Sequence, residues 1–148
     1  MSKKIGSLAL VIGVILFATS MHPRVAAAVD PTRGGVFQPV YTVVDHPVPK
    51  PAQHLPLDVI RRAIIGAGAM RQWSFEAAGP GALLATQKTR GLVATVKVTY
   101  SQTAYGISLV ETNLDRSDDL IHGTYNRWVR NLEKDIDILL TSEGLQSN

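Results

Sequence analysis

The sequence contains no cysteine, and aromatic residues make up only 6% of its 148 residues. Without cysteine the chain has no disulfides, no cysteine nucleophile and no residue for the lipid attachment that lipoproteins use. It also lacks the nucleophile motif GxSxG and the phosphate-binding motifs GxxxxGK[ST] and GxGxxG. We therefore expect a protein that is not an enzyme and that carries no cofactor.

An excess of positive charge is also missing once the first 28 residues are set aside. The whole chain has 15 Lys and Arg against 12 Asp and Glu. However, three of the bases, Lys3, Lys4 and Arg24, lie in that N-terminal segment, which contains no acid, so the remainder is balanced. Nucleic-acid binding needs a clustered basic surface, so we do not expect a nucleic-acid partner.

The N-terminal segment itself is typical of a secretory leader. Two lysines precede an uncharged, apolar run over residues 5–21, and the small residues of Val25–Ala28 follow it. Cleavage after Ala28 is the preferred prediction, and cleavage after Ser20 is the second. A retained membrane anchor is the alternative, since a run of about 17 residues is at the short limit for a spanning helix. We expect residues 1–28 to be a signal peptide and the mature protein to be periplasmic or secreted in a Gram-negative bacterium, bound to the membrane only if the leader stays uncleaved.

The next segment, residues 29–56, contains six of the eight prolines. Proline at this density disfavours both helices and interior strands. The composition predicts an extended linker or a strap over the domain surface. It leaves two interpretations open, a flexible spacer and a segment with a short strand over residues 39–44 that Tyr41 helps to hold.

Residues 57–141 show the periodicities of a folded domain. Apolar spacing predicts a first helix over residues 57–71, with Ile60, Ala63, Ile64, Ala67 and Met70 on its buried face. Strand patterns follow near residues 73–76, 82–89, 93–100 and 105–111, and the short connections between them predict antiparallel pairing. A long amphipathic helix is predicted from Ile121 to Leu140, and residues 142–148 are predicted to be a disordered tail.

These elements predict the α+β class. We expect a two-layer sandwich in which an antiparallel meander of three to four strands is covered by the N-terminal helix and the long C-terminal helix. The predicted core combines the inward positions of the strands with the apolar stripe of the long helix, namely Trp73, Val96, Val98, Ile107, Tyr125, Trp128, Leu132 and Ile136.

The start of the long helix carries a resemblance to a known group of proteins. The run from Ile121 to Leu132 fits the pattern IHxxYNRWVxNL, and looser matches precede it in the first helix and in the strand around Val96. In these features the chain resembles a family of small proteobacterial envelope lipoproteins and secreted proteins of unassigned function. The resemblance spans roughly residues 39 to 138, and it implies an envelope location and a shared fold but no reaction. Because this chain has no lipid-attachment cysteine, a soluble form is implied.

The same turn of helix supplies the candidate partner-binding residues. Arg127 and Asn126 flank the apolar stripe, and arginine is enriched at interface hot spots, so we expect them to contact another envelope protein or periplasmic component. Arg90 lies at a predicted hairpin tip. It is either a further partner contact or a charged residue of the turn that is only solvated. Asn131 is predicted to bond the backbone of a neighbouring strand or linker. A partner strand added to an open sheet edge is one expected mode of binding.

An alternative function is a small-ligand or metal-binding domain with a site near His122. Asp118 and Asp119 precede this histidine by four and three residues, and an imidazole with two carboxylates can hold a metal ion or form a base oriented by an acid. The competing interpretation is that His122 only fixes the start of the long helix.

Overall fold

The computed structural model describes residues 36–147, so the predicted signal peptide lies outside the described residues, together with residues 29–35. Two α-helices and two antiparallel sheets form within the described range, which confirms the α+β prediction. In chain order the elements are β1 (Phe37–Pro39), β2 (Val43–Pro47), a 3-10 helix (Lys50–Ala52), α1 (Leu57–Ala69), β3 (Ser74–Ala77), β4 (Ala82–Thr89), β5 (Leu92–Tyr100), β6 (Ala104–Thr112), β7 (Arg116–Ser117), β8 (Leu120–His122) and α2 (Gly123–Gln146).

The larger sheet has the strand order β2-β6-β5-β4-β3. Its last four members form the predicted meander, with each strand hydrogen-bonded to the next along the chain. The connection from β4 to β5 is a two-residue turn, because Thr89 pairs with Leu92 and both Arg90 and Gly91 have positive φ, at 51° and 84°. Positive φ at both turn positions matches the twist of the flanking strands, which explains why the chain reverses here.

One hydrophobic core lies between this sheet and the helices. Ala94, Val96 and Val98 alternate along β5 and are fully buried, as the strand periodicity predicts. The apolar stripe of α2 supplies the opposite side of the core with Tyr125, Val129, Leu132, Ile136 and Leu140, each fully buried. Two predicted contacts need correction. Trp128 is only partly buried at the edge of the core, and Met70 is 62% exposed because α1 ends at Ala69.

The bounds of the long helix also differ from the prediction. Helix α2 begins at Gly123, since Ile121 and His122 belong to β8, where Ile121 is fully buried and pairs with β1. The helix then continues to Gln146, so the predicted disordered tail is wrong for residues 142–146. The physical reason is tertiary, because Gly144 is buried against the backbone of Pro51, a contact that no local sequence pattern reveals.

The Pro-rich residues 36–56, which we call the N-terminal strap, are part of the folded unit. The flexible-spacer interpretation is wrong here, because Val43, Val48, Ala52 and Leu55 are buried in the common core. The predicted strand over residues 39–44 is replaced by two strands that overlap its ends: β1 ends at Pro39 and pairs with β8, and β2 begins at Val43 and pairs with β6. The prolines fit because Pro39 and Pro47 end their strands, and those strands lie at sheet edges where a missing N–H is tolerated.

The strap also creates a second sheet, of order β1-β8-β7, that the sequence does not predict. Its members have two or three residues each, too few for a periodic pattern. Neither helix formed by residues 36–147 combines the length and hydropathy needed to cross a bilayer.

Candidate functional site

A row of polar side chains lies on the N-terminal half of α2, and we call it the α2 ridge. Arg127, Arg130, Asn131 and Lys134 have the spacing i, i+3, i+4 and i+7, which places them on one helix face. The three cations are exposed, and none forms an ion pair with a carboxylate of the described residues.

The carboxylates of the same helix region, by contrast, are bonded within the fold. Glu133 accepts a 2.7 Å hydrogen bond from the Tyr41 hydroxyl, and Asp137 accepts one of 2.8 Å from the Tyr105 hydroxyl. Asp135, which is buried, pairs with Arg71. Glu133 and Asp137 keep their negative charge but are bonded to the body of the fold, so the three cations of the ridge reach solvent without a direct ion pair to a carboxylate of residues 36–147.

Arg130 is held in place by the strap. Its guanidinium carbon lies 3.9 Å from the centroid of the Tyr41 ring, a cation–π distance that stabilises an exposed pair by about 0.5–1 kcal/mol. The hydrogen bond to Glu133, with burial and the charge of Glu133 adding to it, raises the pKa of Tyr41, so its hydroxyl remains a donor at neutral pH. Tyr41 of the strap thus contacts both Glu133 and the ridge cation Arg130.

Two of the concave spaces that border the ridge share Arg127 and Asn131. On the β1 side is a groove of about 570 Å³ lined also by Gln38, His122 and Thr124. On the side of the α1–β3 turn is a smaller cavity of about 360 Å³, lined also by Trp73, Gln87 and Trp128. Both fall within the size range of small-molecule sites, of about 300–1,000 Å³.

The structure shows His122 in the helix-fixing role. Its Nδ1 accepts a 3.2 Å hydrogen bond from the backbone N–H of Thr124, and its ring meets that of Phe37 edge-on. Asp118 and Asp119 are exposed at the turn between β7 and β8. Residues 36–147 contain no group of three or more His, Cys, Asp or Glu arranged to hold a metal ion, so these three residues are not assembled into a metal centre.

The prediction for Asn126 as a surface contact is wrong. This side chain is 3% exposed, and its Nδ2 donates to the Pro39 carbonyl at 2.8 Å. It bonds the strap backbone, which is the role predicted for Asn131 five residues later. Arg127 is exposed, as its predicted role requires, whereas Arg90 sits at the tip of the β4–β5 turn and lines neither space around the ridge.

The structure contains a polar network between the strap and α2 that the sequence patterns do not predict. The two ring nitrogens of His46 lie 3.3 Å from a Glu133 oxygen and 3.0 Å from an Asp137 oxygen. Tyr105, whose ring is 5.0 Å from that of His46, donates to Asp137 on its other oxygen. Burial raises the pKa of Tyr105, and the hydrogen bond and charge of Asp137 raise it further, so the phenol is a donor.

This network ties elements together and contains no activated nucleophile. A doubly protonated imidazole donates to both carboxylates, whereas a neutral ring donates to one. The available sequence signal was the i, i+4 spacing of Glu133 and Asp137 beside the buried stripe. The part of His46 in the network was not predicted, because His46 lies in a Pro-rich segment that was expected to be a linker or strap.

Comparison with protein-family models, with curated proteins and with solved structures finds no match for this chain.

Proposed function

We propose that this protein is an exported, non-enzymatic binding module of the cell envelope that holds an acidic partner against the α2 ridge. The observation that supports this best is the division of charge on α2. Glu133, Asp135 and Asp137 are bonded inside the fold, while the ridge cations face solvent without a carboxylate partner among the described residues. The leader and the envelope-family resemblance favour the compartment.

The form of the ridge supports a contact with a macromolecule. It stands on a 24-residue helix whose opposite face is buried, and Arg130 is stacked on Tyr41, so a partner meets side chains that are already partly ordered. Such order reduces the entropy lost on association. One turn beyond Lys134, Ile138 is 52% exposed and offers an apolar contact beside the cations.

The arginines define the chemistry of the partner. A guanidinium group donates bidentate hydrogen bonds to carboxylates or phosphates, and two such groups one turn apart select a surface with paired anionic groups. An acidic segment of another envelope protein matches this arrangement. Because the ridge is solvent-exposed, such binding weakens as the ionic strength rises.

The experiment is site-specific photo-crosslinking in cells that export the protein, with the crosslinking residue at Asn131 in the centre of the ridge. We expect one reproducible adduct with an acidic envelope protein. The double variant Arg127→Glu, Arg130→Glu should reduce the adduct by about tenfold or more, since charge reversal opposes encounter and contact. The matched control is Arg61→Glu, an exposed arginine on α1 that should leave the adduct unchanged.

A second measurement separates a specific contact from collision. The identified partner, once purified, should bind the protein with an affinity that falls as salt increases and that falls further in the double variant. An adduct that persists undiminished in the double variant, or that is lost equally in Arg61→Glu, would refute the ridge as the interface.

A further inference from the structure

The smaller cavity, between the α1–β3 turn and α2, has the composition of a ligand site. Its walls include the indoles of Trp73 and Trp128, the only two tryptophans of the chain. Trp73 is 5% exposed, so one wall is a buried aromatic surface, while Trp128 is partly exposed at the rim. Three amide side chains, two arginines and Met70 complete the lining. The lining thus combines two aromatic walls with several polar side chains, and convergent polar groups are what fixes the orientation of a ligand in a small-molecule site.

Gln87 provides the polar group inside the cavity. It belongs to the inward-facing side of β4 and is 6% exposed, and its Nε2 donates to the Thr89 hydroxyl at 3.0 Å. Its Oε1 is buried and has no hydrogen-bond partner among residues 36–147. Exchanging the oxygen and nitrogen of the amide leaves the other atom unpartnered instead. Buried polar atoms without partners are rare, so this atom points to a group that fills the cavity.

Arg127 provides the charge at the cavity mouth. The other cation of the lining, Arg71, is paired with Asp135, whereas Arg127 has no such partner in the described part of the chain. Asn131, one turn along α2, also lines the cavity, and within residues 36–147 its side chain makes no hydrogen bond. One uncompensated guanidinium, one orphaned amide atom and two indole rings thus surround about 360 Å³.

We propose that this cavity binds a small aromatic carboxylate, with its anionic group against Arg127, its ring between the indoles, and a hydrogen-bonding hydroxyl or amine at Gln87. The guanidinium selects the carboxylate and the indole faces select a flat ring. The buried amide discriminates against ligands without a polar group at that end, because it then stays unpaired. The cavity shares Arg127 and Asn131 with the ridge, but its aromatic walls and Gln87 lie outside the ridge, so binding of the small carboxylate is measured without the acidic partner.

Tryptophan fluorescence tests the proposal directly, because both tryptophans line the cavity. Titration of the exported protein with 4-hydroxybenzoate should give a saturable fluorescence change with a dissociation constant in the millimolar range or below. Benzoate, which lacks the hydroxyl, and phenol, which lacks the carboxylate, should each bind about tenfold more weakly or worse. Absence of saturable binding by 4-hydroxybenzoate at millimolar concentrations would overturn the proposal.

Three variants separate a ligand role from a structural one. Arg127→Gln should weaken 4-hydroxybenzoate about tenfold or more, while the matched Arg61→Gln should not change it. Gln87→Leu removes the orphaned atom, so it should leave the melting temperature unchanged or higher and yet reduce the affinity for 4-hydroxybenzoate to that for benzoate. Arg130→Glu, which alters the ridge alone, should leave the titration intact. Full 4-hydroxybenzoate affinity in Arg127→Gln or Gln87→Leu would refute the site.

Discussion

The side-chain oxygen of Asn126 accepts a 2.9 Å hydrogen bond from the backbone N–H of Tyr41, 85 residues earlier in the chain. The nitrogen of the same carboxamide donates to the Pro39 carbonyl at 2.8 Å and to the Gln38 side chain at 3.2 Å. The strap residues between β1 and β2 belong to neither sheet, so the buried Asn126 side chain and the backbone bond from the Val40 N–H to the Asp119 carbonyl take the place of strand pairing there. Asn126 therefore joins the strap to α2.

Asn126→Ala should destabilise the protein by about 1–3 kcal/mol. The substitution removes the hydrogen bonds to the Tyr41 N–H and the Pro39 carbonyl, and each bond contributes about 0.5–1.5 kcal/mol because both groups are only partly buried. Chemical denaturation followed by circular dichroism measures the change in the free energy of unfolding. Asn131→Ala, a partly exposed position on the same helix, is the control and should stay within about 0.5 kcal/mol of wild type. Equal losses in the two variants would contradict the assigned role.

The sequence predicted those parts of the fold that local periodicity encodes. The alternation along β5 identified Val96 and Val98 as core residues, and the 3.6-residue spacing of α2 identified Leu132 and Ile136. The folded state of the strap was not predicted, because the strap is held by contacts with α2 about 85 residues away. A proline-rich composition does not indicate such long-range contacts. For the same reason the end of α2, buried at Gly144, was mistaken for a tail.

The residues of the candidate site also fall into two groups, those whose exposure the local sequence predicts and those whose environment depends on distant contacts. The exposure of Arg127 follows from its position off the apolar stripe, and helix geometry alone predicts it. Asn126, also off the stripe, is buried because the strap covers that side of α2, which the sequence did not reveal. Gln87 was not singled out, since a glutamine in a strand pattern becomes informative only when its buried side chain is known to lack a partner.

The Tyr105–Asp137 pair should show energetic coupling in a double-mutant cycle. Tyr105 is 2% exposed and donates at 2.8 Å to Asp137, whose side chain is 35% exposed. We expect Tyr105→Phe and Asp137→Ala to be non-additive by about 1–2 kcal/mol in the free energy of unfolding, reduced by the partial access of water to the carboxylate. Pairing Tyr105→Phe with Glu143→Ala, an exposed acid on the same helix, should be additive within about 0.5 kcal/mol. Additivity in both cycles would show that the hydrogen bond between Tyr105 and Asp137 does not contribute to the free energy of unfolding.

Glycine substitutions should test how the end of α2 packs. A Cβ at Gly144 would lie 2.2 Å from the Pro51 carbonyl oxygen, a backbone atom that cannot move without displacing the strap. Gly144→Ala should therefore cost about 1–3 kcal/mol through overpacking. The matched control is Gly66→Ala in α1, where the nearest atom is a flexible Leu139 methyl at 3.3 Å and a gain in helix propensity of about 1 kcal/mol offsets the contact. Thermal melts of the two variants should move apart, and a Gly144→Ala protein as stable as Gly66→Ala would contradict the buried helix end.

Alkaline pH should destabilise the fold through its buried tyrosines. Burial raises the pKa of Tyr125 to about 12, from about 10 in an unfolded chain. A raised pKa means that the folded state holds the phenolic proton more tightly, so this contribution is complete below pH 10 and is lost as the pH rises toward 12. The loss from one such group is about 1.4 kcal/mol per pH unit across that window.

Tyr125→Phe should make the free energy of unfolding fall less steeply between pH 10 and 12, by about 2–3 kcal/mol in total. At pH 7 the variant should be at least as stable as wild type, because the Tyr125 hydroxyl has no hydrogen-bond partner among residues 36–147. Parallel curves for the two proteins from pH 10 to 12 would contradict this prediction, because they would show that Tyr125 ionises equally in the folded and unfolded states.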